Sequence, residues 1–147
     1  MIKSIYVIGS LRNKSVPEFS NELEAAVPGI EAFSEWYGAG ENADDHFRDY
    51  NKIRGKSYAD ALKTYAAKMI FEFDRFHLDR TDAAVMLMPA GRSANLELGY
   101  TVGRGKPGFI LFDEVPERYD LMTQFATAIF FGKESFFNYL KEKQNAN

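Results

Sequence analysis

The chain has no cysteine. This excludes a disulfide framework, thiolate nucleophiles and Cys-ligated metal centres, and it suits a reducing, cytoplasmic setting. Histidine is nearly as scarce: His46 and His77 are too few for a structural zinc ligand set. The segment "DDHFRD" (44–49) offers oxygen ligands for a cation and reads equally as a solvated loop, so neither a metal nor a cofactor is implied. Long apolar runs are missing, and none reaches the ~20 residues of a membrane span. The N-terminal "MIKSIYVIGS" is strand-like, without the apolar core and cleavage site of a signal peptide. Basic excess is absent too. A net charge of -3 argues against sequence-independent nucleic-acid binding, which relies on many phosphate-neutralising Lys and Arg. A small anionic ligand stays open, because a few well-placed arginines suffice for it. Neither of the turns "GSLRN" (9–13) and "PAGRSAN" (89–95) fits G-x-G-x-x-G or G-x-x-x-x-G-K-[ST], which disfavours dinucleotide and P-loop sites there, and no G-x-S-x-G elbow supports a serine triad.

Aromatic residues, by contrast, are plentiful: 13 Phe and 8 Tyr help bring the aromatic share to 15%. Most of these rings are expected in the core, with the excess at a subunit interface or against a flat ligand. The 147 residues, 46% hydrophobic and 27% charged, suit one domain spanning 1–147 with a sizeable core.

Apolar patterning predicts strands at "IYVIGS" (5–10), "GIEAFSEWY" (29–37), "DAAVMLMP" (82–89), "PGFILFD" (107–113) and "ATAIFFG" (126–132). Helices are predicted over 17–27, 93–105 and 133–143, each with helical start or stop signals or an amphipathic pattern. A long helix is expected from Ser57, with Tyr58, Leu62, Tyr65, Met69, Phe73 and Phe76 at helical spacing. The polar stretch 38–56 reads as a long loop, functional or mobile. Strands alternating with helices imply right-handed crossovers, hence an α/β doubly wound domain of flavodoxin-like or Rossmann-like type with a five-stranded, mainly parallel sheet. In such folds ligands bind beyond the carboxyl ends of the strands. The turns to inspect are therefore "GSLRN" (9–13), "WYGAG" (36–40), "PAGRSAN" (89–95) and "DEVPERYD" (113–120).

Two of these turns share a theme. Gly9, Ser10 and Arg12 combine flexible backbone, hydroxyl and guanidinium, and Gly91, Arg92 and Ser93 repeat the set at the start of a helix. A helix N-terminus and a forked guanidinium both favour anions. Either turn alone also reads as ordinary turn or cap residues with solvated arginines. Glu97 misses a capping role: with Ser93 as N-cap, the capping-box position falls on Leu96. It remains open whether Glu97, Thr101 and Arg104 form a solvated face. As a first-turn acid, Glu97 is expected to stay ionised beside the helix dipole, suited to a nucleophile and not to a general acid. Gly99 and Gly103 predict close packing of this helix on the sheet. Asp74, among Phe71, Phe73 and Phe76, is either partly desolvated with a raised proton affinity or an exposed acid paired with Arg75 or Arg80. Asp79 and Asp82 read as structural.

Together, "YVIGSLRN" (6–13), "FDRFHLDRTDAAV" (73–85) and "PAGRSANLELGYTVGRGKP" (89–107) resemble the nucleoside 2-deoxyribosyltransferase superfamily, nearer its nucleoside 5′-monophosphate N-glycosidase branch. The resemblance runs from residue 6 to about 113 and more weakly beyond. It implies an enzyme that cleaves or exchanges an N-glycosidic bond. In that scheme Glu97 is the nucleophile, Tyr6 lies beside it, and Asp74 binds sugar or assists protonation of the leaving base. Gly9, Ser10 and Arg12 bind substrate together with Gly91, Arg92 and Ser93. Thr127 implies a contact supplied by a neighbouring subunit, hence a homodimer or larger assembly. The sequence departs from the transferases at Gly91, where they carry an Asp, with Ser93 the nearest hydroxyl; the stretch 38–56 has no clear counterpart. Two other functions fit the same residues: a TIR-like NAD glycohydrolase, which also uses a glutamate, and a non-catalytic nucleotide-binding module.

Overall fold

A computed structural model describes residues 1–146. Five strands, β1 Ser4–Ile8, β2 Glu31–Phe33, β3 Ala83–Leu87, β4 Gly108–Phe112 and β5 Ala128–Phe131, form one sheet in the order β2-β1-β3-β4-β5. Every neighbouring pair is parallel. This is the flavodoxin-like doubly wound order. The helices are α1 Val16–Ala26, α2 Ala43–Ile53, α3 Tyr58–Leu62, α4 Tyr65–Arg80, α5 Arg92–Gly103 and α6 Lys133–Asn145.

The pleat sends alternate strand residues to opposite faces, and each face builds its own core. On one, Ile5, Val7, Val85 and Phe109 meet Leu23 of α1 and Phe136 of α6. Phe136 is in ring contact with Phe19, Phe109, Phe130 and Phe137. On the other, Tyr6, Ile8, Ala84 and Met86 meet Leu78 of α4 and Ala94 and Leu98 of α5. Asp82 and Asp79 have structural partners, as the sequence suggested. The Asp82 carboxylate accepts from the Lys3 and Ser4 backbone N–H groups at 2.8 and 3.0 Å. Asp79 accepts from the Tyr100 hydroxyl and pairs with Arg104.

The structure revises several expectations. The second strand keeps only Glu31–Phe33. The chain then turns into a 3-10 helix, Glu35–Ala39, because the Trp36 indole donates to the Val7 carbonyl at 2.8 Å and fastens the turn to β1. The stretch 38–56 is no open loop but carries α2. This polar helix is held by Arg48, bonded to both Asp45 and Asp49, with Asp44 and Asp45 at the positive and Lys52 at the negative end of its dipole. The long helix divides between α3 and α4. Thr64 interrupts it by capping α4, its hydroxyl oxygen accepting from the Ala67 N–H. Most rings were expected in the core, but those on this apolar stripe are open to solvent: Tyr58, Tyr65 and Phe76 are 81%, 78% and 62% exposed.

The β4–β5 connection contains a 3-10 helix, Leu121–Phe125, and no α-helix among its residues. The sheet face beside α5 is therefore left as an apolar groove of about 1070 Å³, lined by Leu98, Val102, Ile110, Phe112, Ile129 and Phe131 among others.

Gly99 and Gly103 do not mediate helix–sheet packing, since a Cβ at either would meet nothing within 4 Å. Gly108 does. A Cβ there would lie 2.6 Å from Val102 Cγ2 and 2.9 Å from Leu98 Cδ1. We expect Gly108→Ala to destabilise the fold by about 1–3 kcal/mol through overpacking. Gly99→Ala, in the middle of α5, is expected to stabilise it by about 0.5–1 kcal/mol through helix propensity. Urea unfolding of the two variants checks the contrast; equal effects would show that α5 packs otherwise.

Candidate active site

The chain leaves β1 and β3 on opposite faces of the sheet, into α1 and α5, and a cleft of about 730 Å³ opens at that switch point. Its lining includes Tyr6, Gly9, Ser10, Arg12, Asp74, Gly91, Arg92, Ser93 and Glu97. Thr127 is not among them. It precedes β5, where its hydroxyl oxygen accepts from the Gly108 N–H at 3.0 Å.

At the β1 turn a Cβ at position 9 would press on Val16 Cγ2 at 3.2 Å and touch the Trp36 ring at 3.7 Å, so glycine keeps the turn close to α1. Ser10 acts locally, its hydroxyl oxygen accepting from the Arg12 N–H at 3.1 Å. At the β3 turn the N-cap of α5 is Gly91 and not Ser93, with no side-chain cap. The Asn95 amide instead donates back to the Gly91 carbonyl at 2.8 Å. This earlier start moves Glu97 from the first turn of α5 into the second.

Glu97 lies on the inward side of α5, beside buried Ala94, Leu98 and Thr101. The Thr101 hydroxyl donates to the Glu97 carbonyl, and Arg104 is engaged with Asp79, so Glu97, Thr101 and Arg104 form no solvated face. Asp74 reaches the cleft from α4, one turn before buried Leu78. Arg75 pairs with Glu72 at 2.7 Å and Arg80 with Glu31 at 2.5 Å. Neither takes Asp74, and the desolvated reading holds. Helix α4 is itself locked to β2 by the Arg80–Glu31 pair and by the His77 ring stacked on Phe33 at 3.8 Å.

Between the two acids stands Tyr6, 1% exposed, its ring 5.2 Å from Phe33. Its hydroxyl is in hydrogen-bonding reach of both Asp74 and Glu97. Burial and then the Asp74 charge push the Glu97 carboxyl up to about 7, with the Tyr6 hydrogen bond partly offsetting them. Burial also raises Asp74, again against the Tyr6 bond, and together with the two acids it raises the phenol. Glu97 is thus not held ionised by the helix dipole, as its assumed first-turn place suggested. Desolvation wins, because the dipole acts mainly over the first turn. One proton arrangement satisfies all three groups: protonated Glu97 donates to the phenol oxygen, and the phenol donates to Asp74. Loss of the Glu97 proton leaves a poorly hydrated carboxylate with a second acid close by.

Sequence reasoning missed the rest of the lining. Trp36, Met69, Ile70 and Phe73 form an apolar, partly aromatic wall, and Glu35, Glu41, Asp44 and Asp45 an acidic rim. The "WYGAG" turn was a usable signal for Trp36. Met69 and Phe73 carried none, since ring spacing on a helix looks the same whether it faces core or ligand. Among the described residues no group of three or more His, Asp or Glu side chains comes together to hold a metal.

A carboxyl that titrates near 7 when folded and near 4.5 when unfolded favours folding below pH 4.5, and that contribution is lost as pH rises towards 7. Glu97→Gln, which cannot ionise, is expected to gain stability over the parent chain between pH 5 and 8, on the order of 2 kcal/mol. Urea titrations at both pH values test this, and parallel behaviour of the two proteins would sink the assignment of a raised Glu97.

No family model matches the chain, and no curated protein matches it. Several solved structures share its fold, among them the following two. A conserved protein from Enterococcus faecalis V583 superposes with a TM-score of 0.66 at 12% identity, over 97% of this chain and 99% of that one. A 2-deoxyribosyltransferase from Bacillus psychrosaccharolyticus superposes with a TM-score of 0.60 at 18% identity, over 92% and 91% of the two chains. Along nearly its whole length, the chain has the fold of a 2-deoxyribosyltransferase.

Proposed function

We propose that the chain cleaves or exchanges the N-glycosidic bond of a nucleoside or nucleoside 5′-monophosphate, with Glu97 as nucleophile. The observation that carries this is the convergence of Glu97 and Asp74 on the Tyr6 hydroxyl inside one cleft. Support also comes from the fold shared with a 2-deoxyribosyltransferase.

In this mechanism the ionised Glu97 attacks C1′ of the sugar from the face opposite the base. The bond from C1′ to the base nitrogen breaks, and the base leaves with the pair's one proton, which passes from Glu97 through the Tyr6 hydroxyl to Asp74 and so ionises the nucleophile as it supplies the acid. A glycosyl ester on Glu97 results. Water or a second base then attacks C1′ as Asp74 takes up the released proton, and the two inversions give net retention. Tyr6 orients Glu97 through its hydroxyl. Trp36 and Phe73 offer rings for the flat base. Gly9, Ser10, Arg12, Gly91, Arg92 and Ser93 receive the remainder of the substrate. Thr127 enters through a neighbouring copy, and the apolar groove beside β5 is a surface such a homodimer would bury.

Incubation with nucleosides, their 5′-monophosphates and acceptor bases is expected to yield free or exchanged base by chromatography. Glu97→Ala should lower the rate by at least about 10³-fold with the fold intact. Because the pair must hold one proton for the leaving base while Glu97 attacks, kcat/KM is expected to fall as pH climbs through about 7 and that proton is lost. Full activity of Glu97→Ala would overturn the mechanism. Release of nicotinamide from NAD alone would redirect it to a NAD glycohydrolase, and ligand-induced stabilisation without turnover to a binding module. Light scattering is expected to show a particle heavier than one chain.

A further inference from the structure

The cleft is lined by charges of very unequal number. Two guanidinium groups, those of Arg12 and Arg92, face six carboxylates, those of Glu35, Glu41, Asp44, Asp45, Asp74 and Glu97. Four of the six lie outside the Tyr6 centre, on the chain between β2 and the first turn of α2. Three of these four, Glu41, Asp44 and Asp45, lie in the 38–56 stretch for which the sequence offered no counterpart.

Asp45 is the best placed of them. One of its oxygens, Oδ1, is held by Arg48 at 3.1 Å, and Arg48 is steadied in turn by Asp49 at 2.9 Å. Its other oxygen, Oδ2, points across the cleft mouth to Arg12 at 3.8 Å. The guanidinium that the β1 turn would offer to an anion therefore already has a carboxylate for a neighbour, with Asp44 on the same rim. A phosphate entering beside Arg12 must displace Asp45 or sit against it. In partly screened surroundings, like charges at such separations cost about fivefold to tenfold in affinity for each pair. A hydroxyl pays no such penalty, and it can donate to the carboxylate that repels the phosphate.

We propose that α2 is a specificity element. By standing 3.8 Å from Arg12 with its charge facing the β1 turn, Asp45 makes the cleft select a substrate with an uncharged hydroxyl at that end and reject one with a phosphate there. The substrate class is then a nucleoside and not its 5′-monophosphate. This rests on the cleft being the substrate site proposed above, and it assigns to the 43–53 helix a role in discrimination.

Calorimetric titration of the full chain with 2′-deoxynucleosides and their matching 5′-monophosphates tests it. The parent chain is expected to bind the nucleoside at least about tenfold more tightly. In Asp45→Asn the ratio of the two Kd values should shift about fivefold to tenfold towards the monophosphate, and adding Arg12→Ala should abolish that gain, because the released guanidinium is what captures the phosphate. An independent measurement on the parent chain needs no variant. Raising the salt concentration should improve monophosphate binding relative to the nucleoside, since screening relieves net repulsion. The proposal is overturned by a parent chain that prefers the monophosphate, by a salt response of the opposite sign, by an unmoved ratio in Asp45→Asn, or by binding of neither ligand. Base release is followed in the same samples. The expected binding ratio without turnover would defeat the N-glycosidase mechanism and leave this discrimination standing; turnover that favours the monophosphate would do the reverse.

Discussion

One buried hydroxyl governs the cleft. Tyr6 sits on a central strand with almost no exposed surface, and its phenol can donate a single proton. Two carboxylates approach it from two helices, Asp74 from α4 and Glu97 from α5. Bringing two acids into one desolvated place is unfavourable unless one of them keeps its proton. The hydrocarbon beneath them, Ile8, Phe33, Leu78 and Leu98, supplies the packing that holds the arrangement. Burial raises both Glu97 and Asp74, and the neighbouring Asp74 charge raises Glu97 further.

The parallel sheet makes this meeting possible. All five strands point the same way, so every strand-to-helix turn opens on one edge, and the divergence of α1 and α5 parts the turns after β1 and β3. A flavodoxin-like backbone by itself carries no particular chemistry. At 12% and 18% identity, the two solved structures speak for the arrangement of the backbone. The chemistry is argued from Tyr6, Asp74 and Glu97 themselves.

Some features were visible in the sequence because their cause is local. Buried parallel strands are continuous apolar runs, so "DAAVMLMP" and "PGFILFD" announced β3 and β4. The paired glycine, hydroxyl and arginine turns gave the cleft rim, since turn chemistry is written in neighbouring residues. Helix α2 was missed because its stability lies in ion pairs among polar residues, which look like loop composition. The exposure of the α4 rings was not legible, because periodicity shows that a helix has an apolar face without showing whether anything covers it.

By itself, then, the sequence determined the order of the five strands, the parallel sheet, the helices α1, α5 and α6, and the set of acids, hydroxyls and arginines available at the sheet's carboxyl edge. Those follow from residue type and spacing over a few turns of chain. Tertiary structure alone decided which acids lose their water. Glu97 became a group titrating near neutrality once α5 began at Gly91 and turned it inward beside Tyr6 and Asp74. Asp45 became a rim charge once α2 folded across Arg12. Desolvation and charge proximity are set by atoms far apart in the chain, so neither can be read from neighbouring residues.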